Sequence, residues 1–263
     1  MSANNPQFPL FIPTKGRVYK QVTLDSIGKE NAFVVCPKHE VQQHELMGRK
    51  VIDRGEVTGI NNVRQFILEY AMEAHYDKIL ILDDDLIFNT RASDDAPNLR
   101  KVTSQETAEL FNRMDKLLDE YVHVGVSPRQ MNDKHFPDTV KHGMRMNAVH
   151  GIRPFDVYNT GLKYNAVELM EDYFMTLGLF AKGMPNAVIV DWTWDQRGGS
   201  GAKGGCSTYR TLELQEHASK QLAFYYPDFV KVVEKETKTG WEGMKKRYDV
   251  RVQWRKAYEA GCT

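Results

Sequence analysis

The chain has 263 residues, 41% hydrophobic and 27% charged, a balance that excludes a disordered chain and is ample for a buried core. With 35 Lys/Arg against 35 Asp/Glu the formal net charge is zero, so any polyanionic partner must meet a local patch rather than a global field. Three cysteines, Cys36, Cys206 and Cys262, are too few and too far apart for a disulfide framework or a cysteine-based zinc site, which fits a reducing, cytoplasmic setting.

Phe8 to Ile12 is a short apolar run stopped by Pro13-Thr14-Lys15-Gly16-Arg17, and predicts a buried strand emptying into a basic, glycine-containing loop. Asn31 to Pro37 predicts a second strand and Lys50 to Asp53 a short third. Gly59 precedes a segment, Ile60 to His75, in which Val63, Phe66, Ile67, Tyr70, Ala71 and Ala74 recur at helical spacing. Lys78 to Leu82 is apolar on both faces, as a central parallel strand is, and ends in Asp83-Asp84-Asp85. Strand, helix, strand is the βαβ pattern of an α/β fold.

A polar stretch from Asn89 to Lys101 is expected to separate this half from a helix over Ser104 to Tyr121. Val122 to Val126 and Gly143 to Ile152 read as second-half strands around a loop, Arg129 to His142. A helix is expected over Val167 to Ala181, closed by Gly183-Met184-Pro185 before the apolar run Ala187 to Val190. Residues 197–205 carry five glycines in nine positions and read as a loop beside Trp192, Trp194 and Tyr209. A helix over Thr211 to Phe224 follows, then a tail, Lys231 to Lys256, with nine Lys/Arg against four Asp/Glu, a local net of +5. No segment approaches the roughly 18 apolar residues of a membrane span, and no N-terminal targeting pattern is visible, so the reading is of a protein with no membrane partner.

Acids at the carboxyl end of a buried strand sit where open α/β sheets hold their ligands. Alternation along an extended backbone lets Asp83 and Asp85 share a direction and hold one Mg²⁺ or Mn²⁺ with a diphosphate, while Asp84 faces elsewhere. The plainer meaning is a solvated turn, although a turn needs only one of the three aspartates. Lys15-Gly16-Arg17 would lie at the same sheet edge and could meet phosphate through charge-assisted donors and exposed backbone N–H groups.

These residues together resemble a glycosyltransferase of the GT-A fold, a Rossmann-like α/β domain with a mainly parallel central sheet flanked by helices. The carriers of the resemblance are the strand ending in IPTKGR, the helix-initial segment from Gly59 to Arg64, the strand ILILDDD, and the acidic stretch from Glu168 to Leu177 followed by Phe180 to Gly183. Within that group, IPTKGR and NNVR are most similar to the TET-associated glycosyltransferases, phage-linked enzymes implied to glycosylate hydroxymethylated pyrimidines in DNA.

The resemblance implies roles by position. Asp83 and Asp85 would bind Mn²⁺ or Mg²⁺ with the donor diphosphate, Asp84 would contact ribose or metal, and Thr14, Lys15, Arg17 and Arg64 would line the pocket for a nucleotide-sugar donor, a UDP-sugar by preference. Asp172 would be the general base and Glu171 would position the acceptor, although such a pair is equally at home at a helix N-terminus. His217 would complete the metal shell, against the commoner meaning of a surface or core histidine. The implied layout is a glycosyltransferase domain over residues 1–226 and a basic helical extension, 227–263, packed on it. In that tail Lys245, Lys246, Arg247, Arg251, Arg255 and Lys256, interleaved with Trp241, Tyr248 and Trp254, suit a DNA acceptor by phosphate contact and base stacking, or else form an ordinary charged helix. A protein or glycan acceptor, a nucleotidyltransferase, and a non-enzymatic nucleic-acid-binding protein are the other readings.

Overall fold

The computed structural model describes residues 8–28, 32–196, 209–236 and 246–263. The first half builds β1 (Leu10–Pro13), α1 (Val22–Ile27), β2 (Ala32–Cys36), α2 (Lys38–Leu46), β3 (Lys50–Asp53), α3 (Ile60–Glu73) and β4 (Ile79–Leu82). The strands pair in parallel in the order β3-β2-β1-β4, which sets the carboxyl ends of β1 and β4 side by side. The pairing follows from strands apolar on both faces. Leu10, Ile12, Leu80 and Leu82 point to one layer with Leu24 and Ile27 of α1, whereas Phe11, Ile79 and Ile81 point to the other with Val63, Ile67, Leu68 and Ala71 of α3. Each such fully buried side chain contributes about 1.5–3 kcal/mol.

The second half adds β5 (Leu86–Ser93), β6 (Ala96–Lys101), α4 (Ser104–Glu120), β7 (His123–Pro128), β8 (Val140–Lys141), β9 (Val149–Ile152), α5 (Pro154–Asn159), α6 (Glu171–Ala181), β10 (Asn186–Gln196) and α7 (Leu212–Tyr225). They extend the sheet to β3-β2-β1-β4-β9-β7-β10-β5-β6, with β8 on β10. β9 runs antiparallel between β4 and β7, so the segment entering it arrives at the edge where β4 ends.

Several expectations are corrected. The polar stretch from Asn89 to Lys101 is an antiparallel β5–β6 pair rather than a spacer. The strand expected over Gly143 to Ile152 is confined to β9. The helix expected from Val167 begins at Glu171, because Met170 adopts a left-handed conformation with φ 62° and breaks the backbone there. That break places Glu171 and Asp172 in the first turn of α6. The helix expected over Ser104 to Tyr121 does form from Ser104, with Thr103 as its N-cap in a reciprocal capping box with Glu106.

The tail also departs from the expected helical extension. β11 (Val230–Glu236) and β12 (Lys246–Val252) form an antiparallel pair, and among the described residues of the tail α8 (Trp254–Cys262) alone is helical. Val230, Val250 and Ala257 share a core with Phe174, Leu177 and Phe180 of α6 and Leu222 of α7. Gly261 lies so close to the Phe180 carbonyl that an added Cβ would sit 1.9 Å from its oxygen. No described helix is long and apolar enough to cross a membrane.

Candidate active site

The carboxyl end of the sheet opens into a cavity of about 1050 Å³. Thr14, Lys15, Arg17, Arg64, Asp83, Asp84, Asp85, Glu171 and Asp172 all line it, so segments far apart in sequence meet in one place. The described Tyr209 follows a glycine-rich segment that lies outside the described residues, as do Cys206, Trp241 and Lys245.

The three aspartates form the turn between β4 and β5, and that turn is held from behind. Thr23 of α1 donates its hydroxyl to the Asp83 carbonyl (2.5 Å) and accepts the Leu86 N–H (2.8 Å), while its own N–H reaches the Asp84 carbonyl. The Asp83 N–H is held by the Ala148 carbonyl at the entry to β9. With the backbone fixed, the side chains alternate: Asp84 is buried, and Asp83 and Asp85 keep part of their surface in the cavity.

Asp84 faces the basic loop. It accepts from Thr14 Oγ1 at 2.6 Å and from Arg17 at 2.5 Å, so its carboxylate is used to shape that loop rather than presented for ribose. Gly16, with φ 71°, gives its N–H to Glu40 at the start of α2. Asp85 takes a longer contact from Arg17 (3.3 Å) and a hydrogen bond from Gln196 at the end of β10 (3.0 Å). Burial opposes the charge on Arg17, yet Asp84 and Asp85 outweigh it and raise its pKa.

Arg64 ties the two acidic segments together. Gly59, with φ 84°, starts α3 and points Arg64 under the cavity floor, where it bonds Asp83 at 2.8 Å and Glu171 at 2.5 Å. Burial drives the Asp83 carboxyl up to about 7, with Asp85 and Asp84 adding repulsion and Arg64 opposing. Burial likewise raises Glu171, again against Arg64. Glu171 therefore spends an oxygen on Arg64 and is only 4% exposed where it lines the cavity, which makes it the group that fixes the arginine. Asp172, one residue on, is partly exposed in the cavity, its Oδ1 accepting the Tyr173 N–H.

His217 is not brought to the site. It is exposed on α7, whose buried positions are Gln215, Ala218, Ser219 and Leu222, and a residue two places from Gln215 lies about 200° round the helix. Leu214 and Gln215 line the cavity instead. No cluster of three or more metal-ligating side chains exists among the described residues.

The tail contributes more to the cavity than its sequence suggested. Lys235, Arg247 and Asp249 of the β11–β12 pair line it. Among the described residues of the tail, several cations are met within the chain: Lys235 pairs with Asp249, Lys246 with Glu234 and Arg255 with Glu259. Trp254 packs edge-on against Tyr173 with ring centres 5.1 Å apart, so it is not free to stack on a base. Gln196, Arg145, Arg210 and Arg54 also line the cavity and went unread in the sequence, and Tyr209, read there as an aromatic beside the glycine-rich segment, lines it too. Each is a single residue outside any motif.

A parallel sheet carrying an acidic turn after β4 and a basic loop after β1, with a returning antiparallel strand beside them, defines a GT-A type nucleotide-sugar fold. A sequence model of the TET-associated glycosyltransferases matches residues 8–205, and the chain belongs to that family. In structure it is similar to GalNAc-T7 solved with UDP, GalNAc and Mn²⁺, at 9% identity and TM-score 0.53, over 84% of this chain and 48% of that one. It also matches TarS residues 1–349 from S. aureus in complex with UDP, at 12% identity and TM-score 0.48, over 82% of this chain and 65% of that one. The chain thus spans about half to two thirds of these structures. No curated protein matches it in sequence.

Proposed function

We propose that the chain transfers a sugar from a nucleotide-diphosphate sugar, a UDP-sugar by preference, to the hydroxyl of a 5-hydroxymethylpyrimidine in DNA, with Mg²⁺ or Mn²⁺. The observation that carries this reading is the convergence of the basic loop, the acidic turn, Arg64 and the start of α6 on one cavity. Family membership supports the transfer chemistry. The DNA acceptor follows from the family resemblance and from cations at the cavity, Lys15, Arg145 and Arg210 among them, rather than from the tail as a separate face.

The donor set fits a hard divalent cation. Asp83 and Asp85 offer oxygen ligands only, and their mutual repulsion, which helps raise Asp83, is what a cation would relieve. With two side chains alone, the remaining positions belong to water and diphosphate oxygens, as is usual for Mg²⁺. Such an ion would neutralise charge developing on the departing diphosphate. Lys15 and Arg17 would meet the same charge from the β1 loop. Asp172 would accept the proton of the acceptor hydroxyl, with Oδ2 available for it and Oδ1 fixed on the Tyr173 N–H. Arg64 and Glu171 would hold Asp83 and the start of α6 in register.

The test pairs binding with turnover. Unfolding of wild type and Asp85→Asn is followed with nucleotide sugars, with and without Mn²⁺, and a ligand at 100 times its Kd adds about 2.7 kcal/mol of stability. The expected result is stabilisation of wild type by a UDP-sugar that needs both the metal and Asp85. Mass spectrometry of hydroxymethylated DNA then reads the transfer, which Asp172→Asn abolishes while leaving UDP binding intact. No stabilisation by any nucleotide sugar would overturn the donor reading; donor binding without DNA transfer would move the acceptor to a protein or glycan.

A further inference from the structure

Among the described residues three arginines are buried, Arg49, Arg54 and Arg64, each under 8% exposed. Two of them have partners for their Nη groups, with only Nε left without one. Arg49 donates to the Val18 carbonyl at 2.7 Å and meets His44 Nδ1 at 2.8 Å, and Arg64 bridges Asp83 and Glu171. Arg54 is different. It is 4% exposed, yet its Nε and Nη1 have no hydrogen-bond partner among the described residues. An unpaired buried cation is costly, and native proteins keep one where a ligand or partner supplies the missing acceptor.

The neighbouring acids do not fill that place. Asp53 gives Oδ1 to the Gly55 N–H at 2.7 Å, and Glu40 gives Oε1 to the Gly16 N–H at 2.8 Å; Glu40 Oε2, also buried without a hydrogen-bond partner, attracts Arg54 through space but makes no hydrogen bond or ion pair with it among the described residues. Burial pulls the Arg54 pKa below its ordinary value, with Glu40 only partly compensating. The backbone is also pinned, with the Arg54 N–H on the Cys36 carbonyl and its carbonyl accepting from Val57. Arg54 thus lines the cavity from a fixed base with Nε and Nη1 unspent.

Its place in the sheet indicates what it meets. Arg54 follows β3, and the acidic turn follows β4, three strand spacings away in the order β3-β2-β1-β4. At about 4.8 Å per spacing this is ~14 Å, a distance for a nucleoside diphosphate to bridge and beyond the reach of the diphosphate alone. A donor anchored by its phosphates at the acids would reach Arg54 with the edge of its base farthest from the ribose. That edge carries the C4 substituent of a pyrimidine or the C6 substituent of a purine. A guanidinium only donates, so it pairs with a carbonyl oxygen there and opposes an amino group.

We propose that Arg54 reads the donor base and selects a nucleoside diphosphate whose distal edge is a carbonyl, as in uracil or guanine, over one whose edge is an amine, as in cytosine or adenine. This rests on the donor reading above and narrows it to a substrate class. Leaving a buried donor unmatched costs about 1–3 kcal/mol, so discrimination of at least about fivefold is expected.

Titration calorimetry of the full chain with Mg²⁺ tests this using UDP, GDP, CDP, ADP and inorganic pyrophosphate, on wild type, Arg54→Gln and Arg54→Lys. The expected result is that UDP or GDP binds wild type at least about fivefold more tightly than CDP and ADP. In Arg54→Gln that preference collapses, and pyrophosphate binds as in wild type. An unchanged preference in the variant, or equal binding of keto and amino bases by wild type, would overturn the assignment. A parallel loss of pyrophosphate affinity would also overturn it, making Arg54 a phosphate ligand. If Arg54→Gln fails to fold, Arg54→Lys and the wild-type preference decide the matter. Failure of wild type to bind any nucleoside diphosphate would instead remove the donor reading itself.

Discussion

Replacing Arg64 with Met is the sharpest probe of how this site is held together. The methionine fills comparable volume but strands Asp83 and Glu171, which lie 2.8 and 2.5 Å from the guanidinium. Removing one partner of a buried ion pair costs about 3–5 kcal/mol, because the remaining charge keeps its desolvation penalty without compensation. At about 2–4 °C per kcal/mol for a chain of this size, the unfolding midpoint falls by roughly 10 °C. The loss depends on pH. Without Arg64, burial raises both carboxyls further above their unfolded values of about 4, so the favourable contribution of their protonated forms is full below pH ~4 and fades as pH rises through the folded pKa values. The gap between wild type and variant therefore widens from pH 5 to pH 8. Urea unfolding followed by tryptophan fluorescence at both pH values measures it. A loss below about 1 kcal/mol, or a gap independent of pH, would refute the assignment of Arg64 as the shared counter-ion. The double variant Arg64→Met with Glu171→Met supplies the cycle: it is expected to recover at least about 1 kcal/mol relative to additivity.

Further expectations concern parts of the fold that support the cavity. His123 and His150 stack inside the sheet with ring centres 5.5 Å apart; burial lowers His123 to about 3 and His150 well below its ordinary value. Since the unfolded chain takes up those protons from pH ~6.5 downward and the folded one does not, stability drops as pH falls from about 6.5 toward 3, by up to ~1.4 kcal/mol per histidine per pH unit. Urea midpoints of wild type and His123→Gln at pH 5 and 7 test this, and an equal acid sensitivity in both would count against it. Thr23→Val removes the hydroxyl that serves both the Asp83 carbonyl and the Leu86 N–H, and is expected to cost about 1–3 kcal/mol and to weaken Mg²⁺-dependent UDP binding. Unaltered binding in calorimetry would show that the turn needs no buttress. Gly59→Ala is expected to lower stability by more than about 1 kcal/mol, since φ is 84° and the new Cβ would lie 2.6 Å from Asn61 Oδ1; an unchanged unfolding midpoint would refute it.

Much of the framework was legible in the residues because it depends on local periodicity. Alternate residues of β1 and β4 are apolar on both faces, which a parallel strand covered on two sides requires, and the apolar stripe of α3 repeats at helical spacing. The abrupt change from ILIL to DDD marked the sheet's functional edge, and the alternation of Asp83, Asp84 and Asp85 followed from backbone geometry. The same helical geometry places His217 away from the cavity once Ala218 and Leu222 are seen as the buried stripe of α7. These features belong to neighbours along the chain, and neighbours are written next to each other.

Only the tertiary structure decided which charges meet. Arg64 and Glu171 are 107 residues apart, and nothing in either segment names the other. The left-handed Met170 that starts α6 at Glu171, the hairpin that carries Lys235 and Arg247 into the cavity, and the unpaired Arg54 are likewise products of packing. Periodicity fixes which face of an element is apolar, because that repeats every two or 3.6 residues. The partner of a buried charge is chosen through space by desolvation and distance, and a linear pattern does not contain those quantities.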